Sequence, residues 1–281
     1  MCTGTARRDY AHPVDSTVIK FLDNKVINFT FKRLVDLLAD STYGPVVASG
    51  VFVNEKNYPE INELVDECVE TLNIKKPYVI ISNSITGLNA MTFGSDEEPY
   101  IALSPLLVNT LSRWQLRFVI GHECGHIAMG HMLYHTVVSV AAMFATSMPI
   151  IGPVVDKVGA LPLKAWSRRS EISADRAGLL CCYSNQVAQR TLLQLELPFM
   201  DANQVDVDEY VKNSEQYRQG GFVRKLNEFD ASHPIIPKRI QALNEFVKSG
   251  RYYMLRGLAP TPESYSDEEL AQKVEDIVKV L

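Results

Sequence analysis

The stretch FVIGHECGHIAMGHMLYH, residues 118–135, holds four of the chain's six histidines. Within it His122, Glu123 and His126 form H-E-x-x-H. On an α-helix, residues four apart share a face, so the two imidazoles can grip one divalent ion. The glutamate between them, turned about 100° around the helix, then stands beside a water on that ion, where a general base for hydrolysis belongs. His131 and His135 are also four apart, but His131 is nine residues from His122. At about 100° per residue it falls on the opposite side of the same helix. These two are expected to be exposed or hydrogen-bonded near the helix C-terminus, where positive charge is favoured, and to hold no metal. Cys124, about 200° around the helix from either ligand, belongs in the core. Gly121 and Gly125 cost helix stability, and their use is to let another backbone pack closely behind the site.

Two histidines do not complete a hydrolytic zinc site, which takes three protein ligands and keeps one position for water. Glu171, in EISAD, is the best third ligand. Asp175, four residues on, shares its helix face and is suited to accept the second N–H of a ligating histidine, fixing the tautomer. E-x-x-x-D alone is common on solvated helices; the H-E-x-x-H upstream is what gives it meaning.

These residues need elements to position them. Residues 1–75 read mostly helical: FTFKRLVDLLADS carries Phe29, Leu34, Val35, Leu37 and Leu38 in a rough stripe, and PEINELVDECVETLNI places Ile61, Leu64, Val65, Cys68, Val69 and Leu72 on one 3.6-period face. KPYVIISN, NAMTFG and EPYIALS are short β-rich runs between turn residues, expected to form a small antiparallel sheet because their connections are short. SPLLVNTL is a short helical link, and Ser112 with Gln115 caps the long helix that carries the motif. LPLKAWSRRSEISADRAGLLCCYS is a second strong helix and NQVAQRTLLQLEL a third; residues 201–231 are polar loop and surface helix; HPIIPKRIQALNEFVKS is a helix entered through prolines. A last helix, capped by Ser266 and Glu269, presents Leu270, Val274, Ile277 and Leu281. The fold class is α+β, mainly α, in one domain over residues 1–281: a helical part to 75, a catalytic core over 76–250, and a tail with its helix over 251–281.

The rest of the chain sets bounds. With 46% hydrophobic residues, no repeat and no low-complexity tract it is globular, and a net charge of −5 carries no nucleic-acid footprint. The five cysteines have no disulfide-framework spacing, which fits reduced thiols in a cytoplasmic protein. The N-terminus lacks the apolar region of a secretory signal. Residues 136–155 run uncharged for the length of a membrane span. A single crossing, however, would put the histidine pair and Glu171 on opposite sides of the bilayer. The segment is therefore expected to be a buried helix, an apolar hairpin broken at Pro149 and Pro153, or an interfacial segment. The hairpin over the cleft is preferred, and peripheral membrane contact is the alternative.

GHECGHIAMGH, then SRRSEISADRAG, then SHPIIPKRI resemble, in order, the signatures of the HtpX-like and CAAX-prenyl-protease-like zinc metallopeptidases, a gluzincin family; NAMTFG adds to the match, which covers about residues 77–246. The N-terminal HPVD resembles, more weakly, soluble single-domain bacterial members. The resemblance implies a zincin-like fold and a zinc metalloendopeptidase acting on peptides or unfolded protein. It implies His122, His126 and Glu171 as ligands of one Zn2+ and Glu123 as general base. His233 would stabilise the oxyanion with Arg239 supporting it, and Asn89 and Ala90 would lie on the edge strand that pairs with substrate. The rival is a latent or non-catalytic zinc-containing protein that binds peptides in a chaperone-like way. The oligomeric state is not legible.

Overall fold

A computed structural model describes residues 9–13, 43–95, 97–132, 160–198, 200–218 and 235–279. The expected helix through Phe29–Leu38, the apolar stretch 136–155, His135, His233 and Leu281 lie outside the described residues.

Among these residues the elements run β1 (Val51–Phe52), α1 (Pro59–Leu72), β2 (Tyr78–Ile81), β3 (Ala90–Gly94), β4 (Pro99–Leu103), α2 (Pro105–Thr110), α3 (Arg113–Met129), α4 (Ala160–Cys182), α5 (Asn185–Glu196), a 3-10 turn (Ala202–Gln204), α6 (Val207–Arg218), α7 (Ile236–Phe246), α8 (Gly250–Leu255) and α9 (Asp267–Val278). The chain is mainly helical with one small sheet, as its patterning predicts. The sheet is mixed rather than wholly antiparallel. Four strands lie in the order β1-β2-β4-β3; the β1–β2 and β3–β4 pairs are antiparallel and the β2–β4 pair is parallel. The cause is burial. β4 carries Ile101, Ala102 and Leu103, all fully buried, so it takes the middle of the sheet, and the link from Ser82 to Asn89 must step over its place to lay β3 outside it. Gly94, at φ 101°, starts the return; a Cβ there would meet the Glu98 carbonyl oxygen at 2.3 Å.

β3 is thus a sheet edge, and Ser104 ties its start down. The buried Ser104 hydroxyl donates to the Gly87 carbonyl at 2.6 Å and accepts from the backbone N–H groups of Asn89 at 3.4 Å and Leu107 at 3.1 Å. One side chain caps α2 and fixes Asn89 together. Ser104→Ala leaves the buried Leu107 N–H without its cap, while the exposed Gly87 and Asn89 can turn to water. Stability should fall by about 0.5–2 kcal/mol, the scale of a lost N-cap, read as a lower urea midpoint with an unchanged slope; an unchanged midpoint would show the hydroxyl to be idle.

α3 is the centre of the molecule. Every residue from Leu116 to Met129 is buried, as expected of a helix surrounded on all sides. Ser112 and Gln115 form the capping box at its start, and Gly130, at φ 69°, ends it. α1 packs Ile61, Leu64, Val65, Cys68 and Leu72 inward, with Val69 half-buried beside them. The closest approach is between α3 and α4, and glycines permit it. A Cβ on Gly121 would lie 2.6 Å from Cys181 Cβ, one on Gly125 2.7 Å from Ala177 Cβ, and one on Gly178 2.7 Å from the Phe118 carbonyl oxygen. This contact brings Glu171 to the histidines.

α9 is capped by Ser266 and Glu269 as expected and buries Leu270, Val274 and Val278. It is pinned by ion pairing between Glu275 and Arg169 and by Lys238 Nζ donating to the Lys279 carbonyl at 3.0 Å. None of its residues lines the cleft described next.

Candidate active site

His122 and His126 project from one face of α3 and Glu171 from α4. His122 Nε2 and His126 Nε2 are 3.1 Å apart, and the Glu171 carboxylate oxygens lie 3.6 and 3.5 Å from them. All three residues are buried, and among the described residues theirs is the one group of this kind whose ligand atoms lie within 4.8 Å of one another.

The surroundings decide what can sit between those atoms. Asp175 Oδ1 lies 3.0 Å from His122 Nδ1. The Asp175 carboxyl is 1% exposed. Burial alone would raise its pKa, but the Arg239 guanidinium and the His122 hydrogen bond outweigh that and hold it below the usual carboxylate range. It is therefore ionised and can only accept, so the proton of a neutral His122 sits on Nδ1 and its Nε2 presents a lone pair. Arg239 Nε and Nη2 donate to Asp175 at 2.7 and 2.5 Å, and Nη1 lies 3.2 Å from Glu171 Oε2. At His126 burial, the largest influence, pushes the pKa down, yet the hydrogen bond and charge of Glu171 together with the charge of Glu123 raise it. The cluster thus favours positive charge where the two Nε2 atoms and the Glu171 carboxylate converge. Two imidazole nitrogens and a carboxylate, buried and mutually close, are a donor set that suits a divalent cation.

Glu123 reaches the sheet from the same cleft. Its carboxylate accepts from the Thr92 hydroxyl, which also lies 3.3 Å from the Glu123 carbonyl oxygen. The site opens into a cleft of about 530 Å³ whose walls include Asn89, Ala90, Thr92, Glu123, Ile236 and Arg239. The β3 edge therefore borders the candidate metal centre.

The structure brings together His122, His126, Glu171, Asp175 and Arg239, with Glu123, Asn89 and Ala90 around the same cleft. Arg239 contacts Asp175 and Glu171; its expected partner, His233, lies outside the described residues. Cys124 is fully buried with its thiol pKa pushed up by burial, in the core as expected. His131 departs from expectation. It does not face away: it is fully buried, and its Nδ1 lies 2.9 Å from His126 Nδ1. The projection of about 100° per residue fails because α3 stops at Gly130, whose left-handed backbone folds His131 back beneath His126. Gly130 was a legible stop signal. Thr92 was missed as well, although period-2 alternation from Ala90 puts it on the face toward α3.

The profile of Peptidase family M48 matches residues 55–247. The plastoglobule-localized metallopeptidase 48 (chloroplastic) of Arabidopsis thaliana is 26% identical over 218 residues, covering 74% of this chain and 63% of that protein. A protease HtpX homolog of Burkholderia lata is 25% identical over 227 residues, covering 71% and 78% respectively. The crystal structure of S. mikatae Ste24p overlays with a TM-score of 0.45 at 18% identity, over 82% of this chain and 61% of that one. The family profile spans three of the sheet's strands, β2 to β4, the H-E-x-x-H helix, the helix bearing Glu171 and the one bearing Arg239, and on that match the chain belongs to Peptidase family M48.

Proposed function

We propose that the chain is a zinc-dependent metalloendopeptidase formed as a single domain over residues 1–281, with its catalytic core in 76–250. The observation that carries this reading is the convergence of two imidazole nitrogens and a carboxylate, with a glutamate on the same cleft, bordered by β3, the edge strand among the described residues.

His122, His126 and Glu171 hold the ion. Zinc in such a site supplies a lowered pKa for water and a polarised scissile carbonyl. The remaining work belongs to the chain. Glu123 takes a proton from the attacking water and delivers it to the leaving amine, and Thr92 sets the direction of its carboxylate. Asp175 holds His122 in the Nδ1–H tautomer. Arg239 keeps Asp175 and Glu171 ionised in a dry site. His233 donates to the oxyanion. The substrate is an extended peptide or unfolded protein that adds to β3 beside Asn89 and Ala90 through main-chain hydrogen bonds, so recognition is largely sequence-tolerant.

We further place the chain in the cytoplasm with a peripheral membrane contact through residues 136–155. The uncharged run supports this, as does the plant relative's name, which refers to plastoglobules. No helix among the described residues is long and apolar enough to cross a membrane.

Metal removal is the direct test. Protein stripped with a strong chelator should lose cleavage of a fluorescently labelled unfolded protein and regain it on addition of one equivalent of zinc. Cleavage that survives stripping would end the reading.

A further inference from the structure

We propose that His131 is a positioning residue for the candidate metal centre: its Nδ1 accepts the Nδ1–H of His126 and so turns the His126 Nε2 lone pair toward the ion. The proposal rests on the reading of His122, His126 and Glu171 as metal ligands.

An imidazole that ligates through Nε2 must carry its remaining proton on Nδ1. At His122 that proton goes to Asp175, 3.0 Å away. At His126 the facing group is another imidazole: His126 Nδ1 lies 2.9 Å from His131 Nδ1. Two ring nitrogens at that distance need one proton between them. With His126 as donor, His131 accepts at Nδ1 and keeps its own proton on Nε2. The alternative, His131 as donor, would put the His126 proton on Nε2, where it can donate to His122 Nε2 3.1 Å away but leaves His126 no lone pair for an ion. The first arrangement leaves both Nε2 atoms as acceptors, which an ion held between them and Glu171 requires.

His131 is built for this and not for ligation. Its Nδ1 meets the side of the His126 ring opposite the ion, so it cannot share the ion with the two Nε2 atoms. Its ring is fully buried and stands edge-on to Trp166 of α4, with centroids 5.3 Å apart and planes at 86°. The same helix that carries Glu171 therefore also fixes the ring that orients His126. The Gly130 turn makes this possible, since a continued α3 would carry residue 131 to the far side.

The test is zinc affinity of the full chain, measured by competition with a chromophoric chelator and needing no peptide cleavage. His131→Leu removes the acceptor and fills the space. His131→Gln keeps a polar group but sets its oxygen near the Nε2 position. His131→Asn sets its oxygen near the Nδ1 position. The Leu and Gln variants should bind zinc about 10- to 100-fold more weakly, with Asn within about threefold of wild type, by the same rule that the acceptor and not the ring is what matters. The visible spectrum of the cobalt-substituted protein should shift in Leu and Gln and not in Asn. If Leu or Gln binds zinc as tightly as wild type, or Asn as weakly as the other two, the proposal is overturned. Should Leu or Gln fail to fold, judged by its metal-free thermal transition, the contrast between the other and Asn decides; should Asn fail, Leu and Gln are each judged against wild type. Wild-type chain that binds no zinc would overturn the metal-site reading itself, an outcome distinct from wild-type binding that the variants leave unchanged.

Discussion

Glu123→Gln should leave zinc bound at one equivalent and reduce hydrolysis of an unfolded protein by about 10²- to 10⁴-fold, the range spanned by general acid–base catalysis. The reasons are local. Glu123 is not among the three residues whose donor atoms converge, so the ion's ligands are untouched. Gln has nearly the same volume and can still accept from the Thr92 hydroxyl that now holds the carboxylate, so the contact between α3 and β3 survives and substrate can still add to the edge strand. What disappears is an acceptor able to take a proton from water and give it back to an amine. The loss should therefore fall on kcat, with KM little changed, because the chemistry is removed and the peptide groove is not. Zinc content by atomic absorption, together with turnover under single-substrate conditions, checks both halves. Activity within tenfold of wild type would remove Glu123 from the mechanism. Loss of zinc along with activity would mean instead that Glu123 helps hold the site together.

How far the sequence reveals this site depends on whether one helix carries the argument. His122, Glu123 and His126 lie within a turn and a half of α3, so helical geometry alone relates them. Glu171 and Asp175 are likewise one turn apart on α4. The closeness of the two helices was also legible, because Gly121 and Gly125 cost helix stability and needed a packing reason; they meet Cys181 and Ala177. What periodicity could not supply was anything decided where an element ends or pairs. His131 was misplaced because one left-handed glycine ends the helix before it. The parallel β2–β4 pair was missed because strand runs reveal their faces and not their order; that order follows from which strand is buried on both sides. Ile101 and Leu103 face the helices, while Ala102 joins Phe93 and Tyr43 on the other face. Arg239 was assigned to the site through its place after SHPIIPK, but its two carboxylate partners, 64 and 68 residues away, come from tertiary packing alone.

Arg239 is where the largest stability effect is expected. Its guanidinium bonds Asp175 with two nitrogens and reaches Glu171 with the third, and those carboxylates are 1% and 3% exposed. Arg239→Met keeps most of the volume and removes the charge. Two ionised carboxylates then remain in a dry site with only the histidines to balance them, and breaking a buried pair from one side costs about 3–5 kcal/mol. The dependence on pH follows in sign. The folded-state pKa of Asp175 is depressed, so in wild type it contributes stability that is present above its unfolded value, near 3.9, and is lost as pH falls through the lower folded value. Without Arg239 the burial that raises Asp175 is unopposed except by His122. The variant should therefore be much less stable than wild type at pH 7, and the gap should narrow in acid, where the variant's Asp175, no longer held down by Arg239, takes up a proton and sheds its burial penalty while wild-type Asp175 stays ionised. Zinc should restore part of the loss at pH 7 by supplying positive charge beside Glu171, and Asp175→Asn in the Arg239→Met background should restore part of it without metal by deleting one uncompensated charge. Arg239→Lys should recover less than its charge suggests, since an ammonium cannot bond both oxygens of Asp175 and still reach Glu171. Urea unfolding at pH 7 and pH 4, with and without zinc, measures each term. A loss below about 1 kcal/mol at pH 7, the scale of an exposed pair, would mean that Arg239 is a spectator and that the histidines and the metal alone hold the two carboxylates.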